Sequence, residues 1–95
     1  MRDSYRTNDG KAIFQFRFVY VGSYYEIDII ESPSYADRAS GPHDTHRLSS
    51  DRGGYRICVG DNYAVDSLSI ARRVAAAWAE QSWRYIKTGR PFAGS

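Results

Sequence analysis

The chain holds one cysteine, Cys58, among 95 residues, so no disulfide can form within it. That removes the small disulfide-stapled scaffolds as a class. It also lacks any apolar run near the ~18 residues that would read as a membrane-spanning helix. The opening residues, Met1-Arg2-Asp3-Ser4-Tyr5-Arg6, have no apolar stretch of the secretory kind. The expectation is a soluble, cytoplasmic protein without membrane contact. There are only two histidines, and the glycines form no phosphate cradle. Gly53-Gly54 precedes a strand pattern rather than a helix, so neither dinucleotide-binding nor P-loop geometry is met. No internal repeat or low-complexity tract is present. A net charge of +2 is too small to imply a nucleic-acid partner by itself.

What the chain has instead is aromatic residues and arginine. Apolar residues make up 42% and aromatics 15%, enough for a modest core in one small domain. Eleven of the thirteen basic residues are Arg, whose planar fork suits carboxylate and phosphate. GC-rich coding produces the same bias, so the count alone assigns no role.

The clearest local signal is a β-hairpin over residues 11–31. Phe14, Phe16, Phe18 and Tyr20 recur every second residue, the period of a strand. Tyr24-Tyr25-Glu26-Ile27-Asp28-Ile29-Ile30 forms the second strand, and Gly22-Ser23 suits a two-residue turn. That turn sets Tyr20 opposite Tyr25, Phe18 opposite Ile27 and Phe16 opposite Ile29 on one face. On the other it sets Arg17 opposite Asp28, an oppositely charged cross-strand pair.

Residues 1–10 are polar, end in the turn signal Asn8-Asp9-Gly10, and read as a flexible arm. Residues 32–54 carry neither helix nor strand period and read as a long loop. Residues 55–59 read as a third strand between Gly53-Gly54 and Gly60-Asp61-Asn62. A helix follows over 67–88, with Asp66 or Ser67 as N-cap, Gly89 at the left-handed stop and Pro91 beyond it. Ile70, Val74, Ala77, Trp78, Gln81 and Tyr85 form its expected core stripe, widened by Leu68, Ala75, Ala79, Trp83 and Ile86. Arg73, Glu80, Arg84 and Lys87 form the opposite face, with Glu80 and Arg84 as an i,i+4 pair. The fold class is therefore α+β: a three-stranded antiparallel sheet, β-β-long loop-β, with one long helix packed on the Phe14/Phe16/Phe18 face.

This leaves the far face of the sheet less polar than an exposed face should be. It carries Gln15, Arg17, Glu26 and Asp28, but also Ile13, Val19, Val21, Tyr24 and Ile30. Three covers suit it: the central loop, with Tyr35 and Leu48 as anchors; the N-terminal arm, with Tyr5; or a second chain, identical or foreign. The loop itself is longer than the ~12–15 residues usual for a structureless connection, and loops of that length are often functional. Its three Asp and three Arg suggest local pairing.

The chemistry-bearing candidates are few. His43-x-x-His46 with Asp44 is the nearest approach to a metal motif, but no second spaced pair accompanies it. Cys58 with His43 or His46 would form a thiolate–imidazole nucleophile only in an accessible, electropositive setting. Ser49-Ser50-Asp51 forms no recognisable triad with either His. No cofactor, metal or catalytic residue is expected, and an enzyme is the least supported class.

From Ile13 to Tyr85 the order of elements, with Ser69-Ile70-Ala71-Arg72 opening an Ala-rich helix, resembles AP2-type and integrase N-terminal DNA-binding domains. That resemblance implies a nucleic-acid surface using Arg17, Arg56, Arg72, Arg73, Arg84 and Lys87. The sheet face such domains use here carries Glu26 and Asp28, which repel phosphate. The leading expectation is therefore a small non-enzymatic binding protein whose partner is another protein or a nucleoprotein complex. Tyr, Trp and Arg, abundant here, carry interface energy elsewhere. Its expected contact residues are Tyr35, Arg38, His43, His46 and Arg47 in the loop, with Val19, Val21 and Tyr24 on the sheet. Phage and mobile-element proteins of this size commonly inhibit host defence complexes, as anti-CRISPR proteins do, and that base rate suggests the same role. A homodimer sealed across the far face is the third reading.

Overall fold

Alternation puts Phe14, Phe16 and Phe18 on one side of β2 (Ile13–Tyr20), and all three are buried. β2 pairs antiparallel with β3 (Tyr25–Glu31) in the expected register, Tyr20 to Tyr25, Phe18 to Ile27, Arg17 to Asp28 and Phe16 to Ile29. A bulge at Gln15/Phe16 then shifts the pairing by one. The computed structural model describes residues 1–59 and 64–92 and shows an α+β fold. The turn expected at Gly60-Asp61-Asn62 lies outside the described residues.

The sheet has five strands rather than three, in the order β1-β2-β3-β5-β4, all antiparallel. One added strand is β1 (Arg2–Arg6), so these residues are not a loose arm. The segment reads as polar because an edge strand needs few apolar residues. Its inward positions are Asp3 and Tyr5, opposite Phe16 and Phe14. The signal Asn8-Asp9-Gly10 is the turn between β1 and β2. Asp9 fixes it by accepting from Lys11 N–H (2.9 Å), Thr7 Oγ1 (2.7 Å), Trp83 Nε1 (2.8 Å) and Lys87 Nζ (2.9 Å). These donors, the Lys11 amide foremost, hold the Asp9 carboxyl well below the usual carboxylate range.

The other added strand, β4 (Arg47–Ser49), lies inside the segment expected to be structureless. It follows α1 (Pro42–Thr45), one turn that starts at Pro42 and ends at His46 in the left-handed region. β5 (Tyr55–Ile57) is the expected third strand, two residues shorter. It sits between β3 and β4.

Helix α2 (Leu68–Thr88) has the expected ends. Ser67 accepts from the Ile70 N–H, and the Gly89 N–H donates to the Tyr85 carbonyl with Gly89 at φ +76°. Its buried stripe is Ala71, Ala75, Trp78, Ala79, Ser82 and Tyr85, turned in part from the one expected. Ile70 and Val74 are half-buried, and Ala77 is exposed. Small side chains at 71, 75 and 79 let the helix seat closely on the phenylalanines, while Trp78 meets Phe14 and Phe16 edge-on at 5.7 and 6.1 Å. Ala75, Trp78, Ala79 and Tyr85 belong to the expected stripe; Ala71 and Ser82 do not, and replace the bulkier Ile70 and Val74 because close approach selects small side chains. Glu80 is likewise not an outer partner for Arg84. It accepts from the Tyr5 hydroxyl and the Asn8 N–H, tying β1 to α2.

The central segment lies over the C-terminal half of α2. Trp78 Nε1 donates to the Thr45 carbonyl (3.0 Å), Ser82 Oγ and Tyr35 Oη share a hydrogen bond (3.1 Å), and Tyr85 Oη donates to the Ala39 carbonyl (2.6 Å). Positions 78, 82 and 85 share one helix face, so a single stripe of polar-tipped residues pins the whole segment. Tyr35 and Thr45 are buried there as core.

Removal of residues 1–10 tests the role of β1. The shortened chain should lose about 3 kcal/mol or more of unfolding free energy, since it opens an edge of β2 and strips Glu80 and Trp83 of partners. An unchanged denaturant midpoint would mean that β1 contributes nothing.

Candidate protein interface on the open sheet face

Residues on the face opposite α2 follow directly from strand alternation. Cross-strand pairing lines up Arg2, Arg17, Asp28, Arg56 and Leu48 in one row across all five strands. Asp28 is its centre and is 1% exposed. Arg17 donates to Asp28 Oδ2 through Nη2 (3.1 Å), and Arg52 through Nε (2.7 Å). Arg52 Nη2 and Ser50 Oγ donate to Oδ1 at 2.9 and 2.8 Å. Arg52 Nη2 also reaches Glu26 Oε1 at 2.7 Å, and Arg56 Nε stands 4.0 Å from Glu26 Oε2.

Ser50 and Arg52 come from the turn joining β4 to β5. Gly53 and Gly54 both take positive φ, +90° and +67°, a pairing that β-carbon-bearing residues strongly resist. The Ser50 N–H donates to the Gly54 carbonyl and the Gly53 N–H to the Ser50 carbonyl, which closes the turn. The diglycine thus folds Arg52 back onto β3 and places its guanidinium on two acids at once.

Burial by itself would push the Asp28 carboxyl up. Its hydrogen bonds from Arg52, Ser50 and Arg17, with the Arg52 charge, win and hold it below the usual range. The same two acids raise Arg52 beyond its already high value, so it stays charged.

Around this lattice stand apolar side chains: Ile13 (46% exposed), Val21 (38%), Tyr24 (47%) and Leu48 (37%), with Val19 and Ile30 half-buried. The intrachain covers reach this face only in part: the central segment brings Leu48 into the row and Ser50 and Arg52 onto Asp28, but leaves these apolar side chains exposed. Tyr35 is buried against α2 and Tyr5 reaches Glu80, both on the helix side of the sheet.

The other expected contact residues fall into place on that helix side. Arg38 caps α2, its Nε and Nη2 lying 3.4 Å from the Ile86 and Lys87 carbonyls, with its guanidinium against Gly89. Arg47 stacks between Tyr55 (3.8 Å) and Tyr35 (4.8 Å). His46 stacks on Phe92 at 4.6 Å, and His43 is exposed with its ring 6.4 Å from that of His46. Val19, Val21 and Tyr24 alone of the expected set belong to the open face. Sequence reading names Leu48 there as an anchor of the central segment but misses Arg2 and Arg52. A β1 register would have shown Arg2, whereas Arg52 reaches Asp28 from 24 residues away and carries no local pattern.

The residues named for nucleic acid are largely committed. Arg72 pairs with Asp3 (2.7 Å), Lys87 with Asp9 (2.9 Å), Arg17 with Asp28 and Arg56, at 4.0 Å, with Glu26; Arg84 is half-buried, and Arg73 is exposed with no such partner among the described residues. Among the described residues no group of three or more His, Cys, Asp or Glu side chains gathers where a metal could sit. Cys58 is exposed, not core as its strand position suggests, and shares a groove of about 480 Å³ with His46, Trp78 and Phe92. No helix is long and apolar enough to cross a membrane among the described residues. No family model, curated protein or solved structure matches the chain.

Asp28 gives a pH signature. Its carboxyl binds a proton less readily folded than unfolded, so its contribution is complete above the unfolded value of about 4 and disappears as pH falls through the lower folded value. Asp28→Asn should cost about 2–4 kcal/mol at neutral pH and show a shallower acid loss of stability than the parent chain. Parallel acid limbs in denaturant titrations from neutral pH to strong acid would exclude that role.

Proposed function

We propose that this chain is a small non-enzymatic module that binds another protein through the open face of its sheet. One observation carries the reading: a mixed apolar and arginine-rich face keeps Ile13, Val21, Tyr24 and Leu48 exposed, although the central segment lays Ser50 and Arg52 on its centre while Tyr35 and Tyr5 turn to the helix side. Apolar rims around charged, preset centres suit protein recognition, in which buried Arg and Tyr anchors dominate the energy. Nucleic acid is the weaker alternative, because most of the helix arginines and Arg17 already hold carboxylates or are half-buried. Inhibition of a host defence complex is a role within the proposed class that rests on the size of the chain. It gains no residue from the fold.

Val21 and Tyr24 sit at the hairpin tip, away from the Asp28 lattice, so charge can be placed there with little harm to folding. Val21→Asp and Tyr24→Asp should each leave stability within about 0.5 kcal/mol of the parent. Each should lower recovery of the partner at least about tenfold, one such loss being near 1.4 kcal/mol of binding. The measurement is a nuclease-treated affinity capture from host lysate, with parent and variants compared by quantitative mass spectrometry. Equal recovery from all three would remove the open face from the function.

A further inference from the structure

We infer that the partner surface docking on this face is acidic, and that the Arg2–Arg17–Asp28–Arg56 row is what reads it. This rests on the protein-binding reading above and names the chemistry of the occupant.

The argument starts from a cost. Arg2 and Arg17 stand directly opposite each other on neighbouring strands, and like charges so placed destabilise a sheet. Arg17 is relieved by Asp28, but Arg2 has no hydrogen bond or ion pair among the described residues. Arg56 is half-committed, touching Glu26 only at 4.0 Å. The row therefore holds unspent positive charge at both ends of a locked centre. Between them Asp28 and Glu26 already occupy the Nε and Nη2 edges of Arg17 and Arg52, so the guanidiniums left for a partner are those of Arg2 and Arg56. A guanidinium fork matches a carboxylate.

The same row argues against the other occupants. A two-fold contact between copies, centred here, would set arginine against arginine. A phosphate backbone would leave Ile13, Val21, Tyr24 and Leu48 without apolar partners. An acidic protein strand or loop with apolar residues between its carboxylates satisfies both kinds of group. Five strands spaced ~4.8 Å apart make a row of roughly 19 Å, the reach of about six extended residues.

The test is titration of the isotope-labelled full chain with an alternating Glu-Tyr peptide of about eight residues, followed by amide chemical shifts. Its controls are a Lys-Tyr peptide, a Val-Tyr peptide, and short single-stranded and duplex oligonucleotides. Shifts centred on Arg2, Arg17, Asp28, Arg56 and Leu48 with Glu-Tyr alone are expected. Arg2→Glu with Arg56→Glu should weaken binding at least about tenfold. Arg2→Gln with Arg56→Gln should fall between, which separates a charge effect from misfolding. Oligonucleotides binding the row more tightly would overturn the inference in favour of nucleic acid, and concentration-dependent slow diffusion abolished by Arg2→Glu would overturn it in favour of a homodimer. Val-Tyr binding the face as well as Glu-Tyr, unaffected by the variants, would overturn the acidic partner and leave protein binding standing. A face that no peptide shifts, and that affinity capture shows to be dispensable, overturns both.

Discussion

A buried carboxylate holds the two hairpins of this sheet together. Asp28 belongs to the β2–β3 hairpin, while Ser50 and Arg52 belong to the turn between β4 and β5. Only two residue pairs align between β3 and β5, Asp28 with Arg56 and Ile29 with Tyr55. So short a ladder is a weak join by itself. The four hydrogen bonds that Arg52 and Ser50 make to Asp28 and Glu26 reinforce it from one face, and Ile57 against the helix does so from the other. An ionised carboxyl with almost no exposure is costly unless its oxygens are bonded, and here both are. The partners' side chains keep roughly a third of their exposure, so the site stays close enough to water to limit that cost.

The helix side resolves a different conflict. A long segment with few apolar residues must cross the molecule without leaving its backbone groups stranded. α2 supplies polar tips at regular spacing, Trp78, Ser82 and Tyr85, and each takes one point of the segment. Arg38 then returns the favour by capping the end of α2 that those residues lead to. The segment and the helix terminus stabilise each other, and this commits residues 35–45 to the core side. The opposite face receives from the segment only Leu48 of β4 and the turn that carries Ser50 and Arg52.

What could be read in advance divides along the range of the interactions. The β2–β3 register was legible because alternation, turn and the Arg17–Asp28 pair are local and agree with one another. Both ends of α2 were legible for the same reason. β1 was not, since Asp3 and Tyr5 alternate with Arg2, Ser4 and Arg6, a weak apolar period that only pairing with β2 makes meaningful. Most of the buried helix stripe was legible; Ala71 and Ser82 were hidden, because hydropathy favours Ile70 and Val74 whereas close packing favours small side chains. Within the candidate site, the far-face apolar residues followed from hairpin register alone. Leu48 entered as an anchor of the central loop, and Arg52 not at all, because its position depends on where the β4–β5 turn lands.

The two faces therefore use arginine for opposite purposes. On the helix side Arg38, Arg47 and Arg72 are structural, engaging carbonyls, ring faces and Asp3. On the open side Arg17 and Arg52 are also bonded, yet their anchors lie in the sheet beneath them, and Arg2 and Arg56 keep charge in reserve. Burial of Asp28 serves the join between the hairpins, but a face selected only for solubility would gain nothing from setting Arg2 against Arg17. Lysines on flexible stems would solvate it with less strain, and the chain has almost none. The charge left over on Arg2 and Arg56, ringed by exposed Ile13, Val21, Tyr24 and Leu48, is what the proposed acidic partner would complete.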